Sequence, residues 1–299
     1  MRLARYHGLG NDYLVLEEGP ALSPGLVRAV CDRHTGAGGD GILEPADAAG
    51  RDAGVRIWNP DGSVAEKSGN GLRIFARWLV DTGRVPDGPF TLWTGACAVG
   101  AEVGPERVVL EMGQASFDPA DVPVHAAAPL VDAPLEVGAQ VLRVTAVGLG
   151  NPHAVIFVDA PLDDVPWRSW GALLETDARF PRRTNVQVAR VVGDGVIALR
   201  VWERGAGPTL ASGSSACAVA AAAVRTGRLP FGTHLLQMPG GEVGVTVRRD
   251  YALVLRGAVE RIGLVDLDAV WVAARVSRAA GGDPPAGPET GALGGGLSS

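Results

Sequence analysis

The chain has 299 residues, 46% of them hydrophobic and 20% charged, a globular composition with room for one large domain or two ordinary ones. Its 27 basic and 33 acidic groups leave a net charge of −6, which argues against non-specific nucleic-acid binding, since that needs a basic field to neutralise phosphates. No apolar run reaches the ~18 residues of a membrane span, and Met1 to Asn11 carry Arg2, Arg5 and His7 with no apolar stretch behind them, so the expectation is a cytoplasmic protein without a signal peptide or a membrane partner.

Short β-branched runs alternate with few helices. Tyr13–Glu17 and Val55–Trp58 read as strands. A helix follows from about Gly69 to Thr82, with Leu72, Phe75, Ala76 and Leu79 at helical spacing. Val108–Met112, Ala154–Val158 and Val196–Trp202 read as strands again. A second helix, from about Ser214 to Thr226, is almost wholly alanine and valine, and a helix apolar all round is a buried one. Val245–Arg248 reads as a further strand. Both helices run into a glycine, Gly83 and Gly227, as helix ends often do. The segment from about Ala279 to Ser299 is Gly, Pro, Ala and Ser; it holds too little apolar surface to offset its ordering entropy and is expected to be disordered and without a site.

Cofactor signatures do not stand out. Cys31, Cys97 and Cys217 are odd in number and widely spaced, which fits small buried hydrophobes better than a disulfide framework or a zinc site. Lys67 is the only lysine, so pyridoxal chemistry would have to use it. HTGAGGDG (34–41) is glycine-rich but fits neither phosphate-binding fingerprint. The expectation is chemistry done by side chains alone, with no metal and no cofactor.

An internal repeat organises the rest. GLGND (8–12) recurs as GLGNP (148–152), and RIWNPDGSVAEKSGNG (56–71) recurs as RVWERGAGPTLASGSS (200–215). Trp58 and Trp202 lie 144 residues apart, as do Ser68 and Ser212. Motifs repeating in order at one spacing argue for a duplicated unit and a two-lobed fold, since solenoid periods are far shorter. On this basis residues 1–117 and 118–261 are expected to form similar lobes, with a segment near 262–275 returning to the first.

Each half places Ser-Gly at the start of its most apolar helix: Ser68-Gly69-Asn70-Gly71 and Ser212-Gly213-Ser214-Ser215. Small residues let backbone approach a ligand, and the free N–H groups of a helix start attract anions. One such motif reads most simply as a serine N-cap; two at related positions suggest a pocket for carboxylates. Asn11, Asn59, Asn151, His153, Asn185, Glu203 and Arg204 sit in or beside turns, and asparagine and arginine are suited to gripping an amino acid's carboxylate and ammonium.

HGLGNDYLVLE (7–17), RHTGAGGDGIL (33–43), WNPDGSVAEKSGNGLRIFARWL (58–79), GNPHAVIFVD (150–159) and ERGAGPTLASGSSACAVAAA (203–222) together resemble the diaminopimelate epimerase family, in family order over roughly residues 1–265. The resemblance implies an α/β (mixed α+β) fold of two pseudo-symmetric lobes, each a mixed sheet wrapped around a central helix. It implies cofactor-independent interconversion of LL- and meso-2,6-diaminopimelate, on the route to lysine and cell-wall precursors. Two cysteines, one from each lobe, pass the α-proton. Those cysteines match Ser68 and Ser212 here. Asn11, Asn59, Asn151, Asn185, Glu203 and Arg204 match substrate-contacting positions. Asn70, Gly213 and Ser214 match the segments that hold the α-carboxylate, with Gly69 and Gly71 in the same turn, and His153 matches a histidine lining the site. Pro208 stands where many members carry glutamate.

A serine hydroxyl is far less acidic than a thiol and needs an adjacent base to act; by sequence the neighbour of Ser68 is Lys67. Three readings of the serines stay open: a deliberate Cys→Ser pair that traps substrate, a divergent amino-acid isomerase or lyase of the same fold, and a non-catalytic amino-acid-binding protein. The expected partner is a small amino-acid substrate, not nucleic acid or membrane, and a homodimer is left open.

Overall fold

The computed structural model describes residues 1–280, which form eighteen strands and five helices. The first part of the chain supplies β1 (Arg2–Gly8), β2 (Asn11–Glu18), α1 (Pro24–Cys31), β3 (Ile42–Ala46), β4 (Ala53–Trp58), β5 (Val64–Ala65), α2 (Gly69–Asp81), β6 (Phe90–Trp93), β7 (Ala98–Val103) and β8 (Val108–Gln114). Then come β9 (Ala133–Val137), β10 (Gln140–Gly148), β11 (Pro152–Phe157), α3 (Trp167–Glu175), β12 (Asn185–Gly193), β13 (Val196–Glu203), β14 (Gly207–Thr209), α4 (Gly213–Arg225), β15 (Gly232–Met238), β16 (Gly241–Val247) and β17 (Ala252–Gly257). The chain continues with β18 (Glu260–Asp266) and α5 (Ala269–Ala280).

Strand pairing repeats between the halves. β2 pairs β3 in parallel and β4 pairs β6 in parallel; β11–β12 and β13–β15 do the same. Antiparallel neighbours complete each run, and β8 pairs β17 antiparallel where the two runs meet. The result is two pseudo-symmetric lobes of mixed sheet, one wrapped around α2 and the other around α4. β18 pairs antiparallel with β1, and Trp271 of α5 packs on the small core beneath α1.

Both central helices are buried for the reason their sequences suggested. In α2, Leu72, Phe75 and Ala76 are fully buried and Leu79 nearly so. In α4 every residue from Ser215 to Val224 is buried. Gly83 and Gly227 lie just beyond these helices at φ 63° and 72°, a conformation glycine adopts without strain, and the N–H groups of Gly83 and Arg84 close onto Val80 and Leu79 carbonyls. The two tryptophans of the repeat behave alike: Trp58 donates to Glu44 at 2.9 Å and Trp202 to Glu175 at 2.7 Å.

Three helices were not expected. α1 had a local signature, Ser23 capping the Leu26 N–H ahead of Pro24, but it spans only eight residues. α3 starts after Pro166 with no side-chain cap, and only tertiary burial of Trp167, Trp170 and Leu174 identifies it. α5 runs on to Ala280, so Ala279 and Ala280, expected in the disordered segment, are helical; alanine favours helix. The remainder of that expectation, 281–299, lies outside the described residues. No helix among the described residues is long and apolar enough to cross a membrane.

Candidate functional site

The starts of α2 and α4 meet. A Cβ on Gly69 would lie 3.1 Å from the Gly213 Cα, and one on Gly213 would lie 2.8 Å from Leu255 Cδ2. Only glycine lets the two backbones come this close. A cleft of about 790 Å³ opens in front of them. Ser68, Ser212, Gly69, Asn70, Gly213, Ser214, Asn11, Asn59, Asn151, Asn185, Glu203 and Arg204 all line it, and so does Pro208. Gly71 and His153 do not. Gly71 donates its N–H to Ser68 Oγ at 3.1 Å, and His153 is fully buried behind the wall.

The two serines are not equivalent. Ser68 caps α2 and shares a 3.3 Å hydrogen bond with the Tyr13 hydroxyl. Ser212 makes no side-chain cap; its hydroxyl lies near the Glu203 carboxylate, which accepts from Thr209 Oγ1 at 3.1 Å. Burial pushes the Glu203 carboxyl above the usual carboxylate range, against the pull of those two hydroxyls. Burial also raises the Tyr13 phenol to about 12, so it is a donor at neutral pH. A carboxylate therefore stands near Ser212, whereas the groups hydrogen-bonded to Ser68 Oγ are the Tyr13 phenol and the Gly71 N–H. Lys67, the sequence neighbour of Ser68, lines the cleft and donates Nζ to Met112 O at 2.7 Å; burial lowers its pKa, opposed by Cys97 and Cys217.

Asparagine side chains knit each wall. Asn11 Nδ2 donates to Asp40 Oδ2 at 2.7 Å, and Asn70 Nδ2 donates to Asn11 Oδ1 at 3.1 Å and, across the lobes, to Ala211 O at 3.2 Å. Arg33 holds Asp40 and Asp12 from behind, at 2.8 and 2.6 Å. In the second lobe Asn185 Oδ1 accepts from the Arg204 backbone N–H at 3.0 Å. The Arg204 guanidinium reaches Arg182 O at 3.2 Å. Asn59 is the least engaged, donating to Ser63 Oγ in its own turn. Tyr13, Arg33, Asp40 and Thr209 line the cleft without having been singled out. The glycine-rich 34–41 loop was noticed, but only its fold brings Asp40 to Asn11.

His153 is a structural part of the wall. Gln187 Nε2 lies 3.1 Å from its Nδ1 and Asn151 Oδ1 lies 3.0 Å from its Nε2, so the proton is on Nε2 and the ring is neutral. Burial, and then the Arg204 charge, pull its pKa to about 3. An unfolded histidine protonates near 6.5. The stability this confers is complete above pH 6.5 and is lost as the pH falls from 6.5 toward 3, by up to about 1.4 kcal/mol per unit. The His153→Gln variant should therefore show a shallower loss of stability between pH 6 and 4 in urea titrations. Equal slopes for the two proteins would refute the assignment.

Comparison with known proteins agrees with this architecture. The sequence model of a family described as diaminopimelate epimerase matches residues 3–117 and 145–262. The chain is 39% identical over 284 residues to a diaminopimelate epimerase of Desulforudis audaxviator, covering 92% of this chain and all of that one. It is 38% identical over 274 residues to diaminopimelate epimerase 2 of a Nostoc species, covering 89% and 95%. Among solved structures, a hydroxyproline epimerase from Agrobacterium vitis superposes with a TM-score of 0.66 at 17% identity, covering 89% of this chain and 90% of that one. A phenazine biosynthesis protein of the PhzF family from Bacillus anthracis superposes at 0.62 with 13% identity, covering 90% and 99%. At such identities these two share the fold.

Proposed function

Because the chain belongs to the diaminopimelate epimerase family, we propose that it is an amino-acid isomerase of that type, which takes up diaminopimelate between its lobes with Ser68 and Ser212 on opposite sides of the α-carbon. The observation that carries this is the pair of helix starts meeting at one cleft, each led by a serine of the repeat. Lobe 1 comprises residues 1–117 and about 262–275, and lobe 2 comprises 118–261. The pairing of β18 with β1 supports the return of the chain.

In this reading the N–H groups at the starts of α2 and α4 receive the α-carboxylate, since helix starts carry free donors and positive partial charge. Asn11, Asn59, Asn151 and Asn185 orient the polar groups, and Arg204 with Glu203 faces the distal end of the substrate. No cofactor takes part in the reaction, which is a proton transfer at carbon. The setting is cytoplasmic amino-acid biosynthesis. The serines make this chain a strong binder and a weak catalyst: Glu203 can accept a proton from Ser212, but a hydroxyl that loses it so reluctantly is a poor carbon base.

Calorimetric titration with meso-diaminopimelate, combined with α-proton exchange in deuterated water, tests the reading. Binding with very slow exchange is expected; absence of binding rejects it. Replacing Arg204 by alanine should weaken binding at least tenfold, about 1.4 kcal/mol. Unchanged affinity would remove Arg204 from the site.

A further inference from the structure

Arg73 lies one turn into α2, is completely buried, and has no carboxylate partner among the described residues. Its side chain turns back toward the helix start, as helical side chains do. Nη2 donates to Asn70 Oδ1 at 2.8 Å, Nη1 reaches Gly69 O at 3.4 Å, and Nε has no acceptor. The guanidinium fills a slot walled by glycine backbone. A Cβ on Gly8 would lie 3.2 Å from Nη2, one on Gly257 2.9 Å from Nε, and one on Gly213 3.4 Å from Nη1. Those glycines belong to β1, β17 and the first turn of α4, so one side chain touches both lobes.

The slot is an unfavourable place for a cation. Two helix starts already add positive partial charge there. A buried charge without a partner is costly. Burial lowers the guanidinium only to about 10, with Cys217 opposing, so it stays charged at neutral pH. The residues it touches, Gly69, Asn70 and Gly213, are themselves part of the cleft wall. An anion bound at that wall would supply the counter-charge that the guanidinium lacks.

We propose that Arg73 is the electrostatic positioning residue of the site: a buried, unpaired cation that fixes the Asn70 amide and is neutralised by the carboxylate of the bound amino acid. This rests on the isomerase reading for the identity of the anion alone. By occupying Asn70 Oδ1, Arg73 leaves Nδ2 to bridge Asn11 and Ala211, the contact that ties the two walls. The ligand-free protein then carries an uncompensated charge. A residue that merely fills space would lose stability when replaced; one that waits for an anion loses affinity instead.

The test uses the full chain, with thermal unfolding and calorimetry against meso-diaminopimelate and, separately, inorganic sulfate. Arg73→Met removes a buried charge and a buried hydrogen bond together, and should leave the ligand-free melting temperature nearly unchanged. It should weaken both ligands at least about tenfold and abolish the rise in melting temperature that they cause. Arg73→Lys keeps the charge and should hold sulfate affinity within about threefold. Full affinity in Arg73→Met, or a parallel loss of stability and affinity, overturns the proposal. If the methionine variant does not fold, the lysine variant decides: retained sulfate binding supports the role of charge, and a loss beyond tenfold overturns it. An unaltered chain that binds sulfate but not meso-diaminopimelate defeats the isomerase reading and leaves the Arg73 comparison intact. One that binds neither overturns both.

Discussion

Replacing Ser68 and Ser212 together by cysteine should raise α-proton exchange and epimerisation of meso-diaminopimelate by at least about 10³. A positioned base contributes roughly 10²–10⁴ in rate, and inversion needs a base on one face and an acid on the other. Sulfur and oxygen are close in size, so the cleft keeps its shape. What changes is acidity. A thiol ionises near 8.5, and lower at a helix start. The Gly71 N–H that now points at Ser68 Oγ would point equally at a thiolate. Either single replacement should recover less than a tenth of the gain, because groups that act as a pair are not additive. Proton exchange and circular dichroism on the four proteins would measure this. Turnover by the unaltered chain at about 1–10³ per second would show that hydroxyls suffice here. An inactive double variant that still binds would point to another reaction of the same fold, or to binding alone.

In that double-cysteine background, Glu203→Gln should lower the rate by about 10²–10⁴ and shift the low-pH limb of the pH–rate profile upward. Glu203 is the group beside residue 212 that can take its proton, and its carboxyl is buried and raised above the ordinary range. The sign follows from the protonation states. Below its pKa Glu203 is neutral and cannot accept, so the rate rises as the pH passes upward through that value. With glutamine in place, residue 212 must ionise unaided, and the limb moves toward the thiol's own value near 8.5. Tyr13, beside residue 68, cannot substitute, since its phenol ionises only at about 12. A profile unmoved by the substitution would mean that Glu203 serves the substrate's distal group only.

Raising the Glu203 carboxyl stabilises the folded state below the ordinary carboxylate range and withdraws that contribution as the pH rises through the raised value. His153 acts in the opposite direction, contributing above 6.5 and failing in acid. His153 is fully buried and Glu203 partly so, and desolvation is the leading cause of both effects.

The sequence by itself determined the duplicated plan, the two buried helices and the residues around the cleft. Those are written in local terms: apolar faces at 3.6-residue spacing, glycine after helix ends, and the 144-residue offset of Ser68 and Ser212. Twelve of the residues singled out, from Asn11 to Ser214, do line one cleft. Tertiary structure alone decided what distinguishes them. SGNG and SGSS look alike as text, but the distant strand β2 brings Tyr13 to Ser68, while the β13–β14 hairpin leading into the second turn places Glu203 near Ser212. Lys67, adjacent in sequence to Ser68, donates to the Met112 carbonyl of β8. Arg73 is buried because glycines of β1, α4 and β17 close around it. Propensity and periodicity act over a turn of helix or a pair of residues; burial and electrostatic field depend on which distant segments surround a side chain, and those are set only when the lobes close on one another.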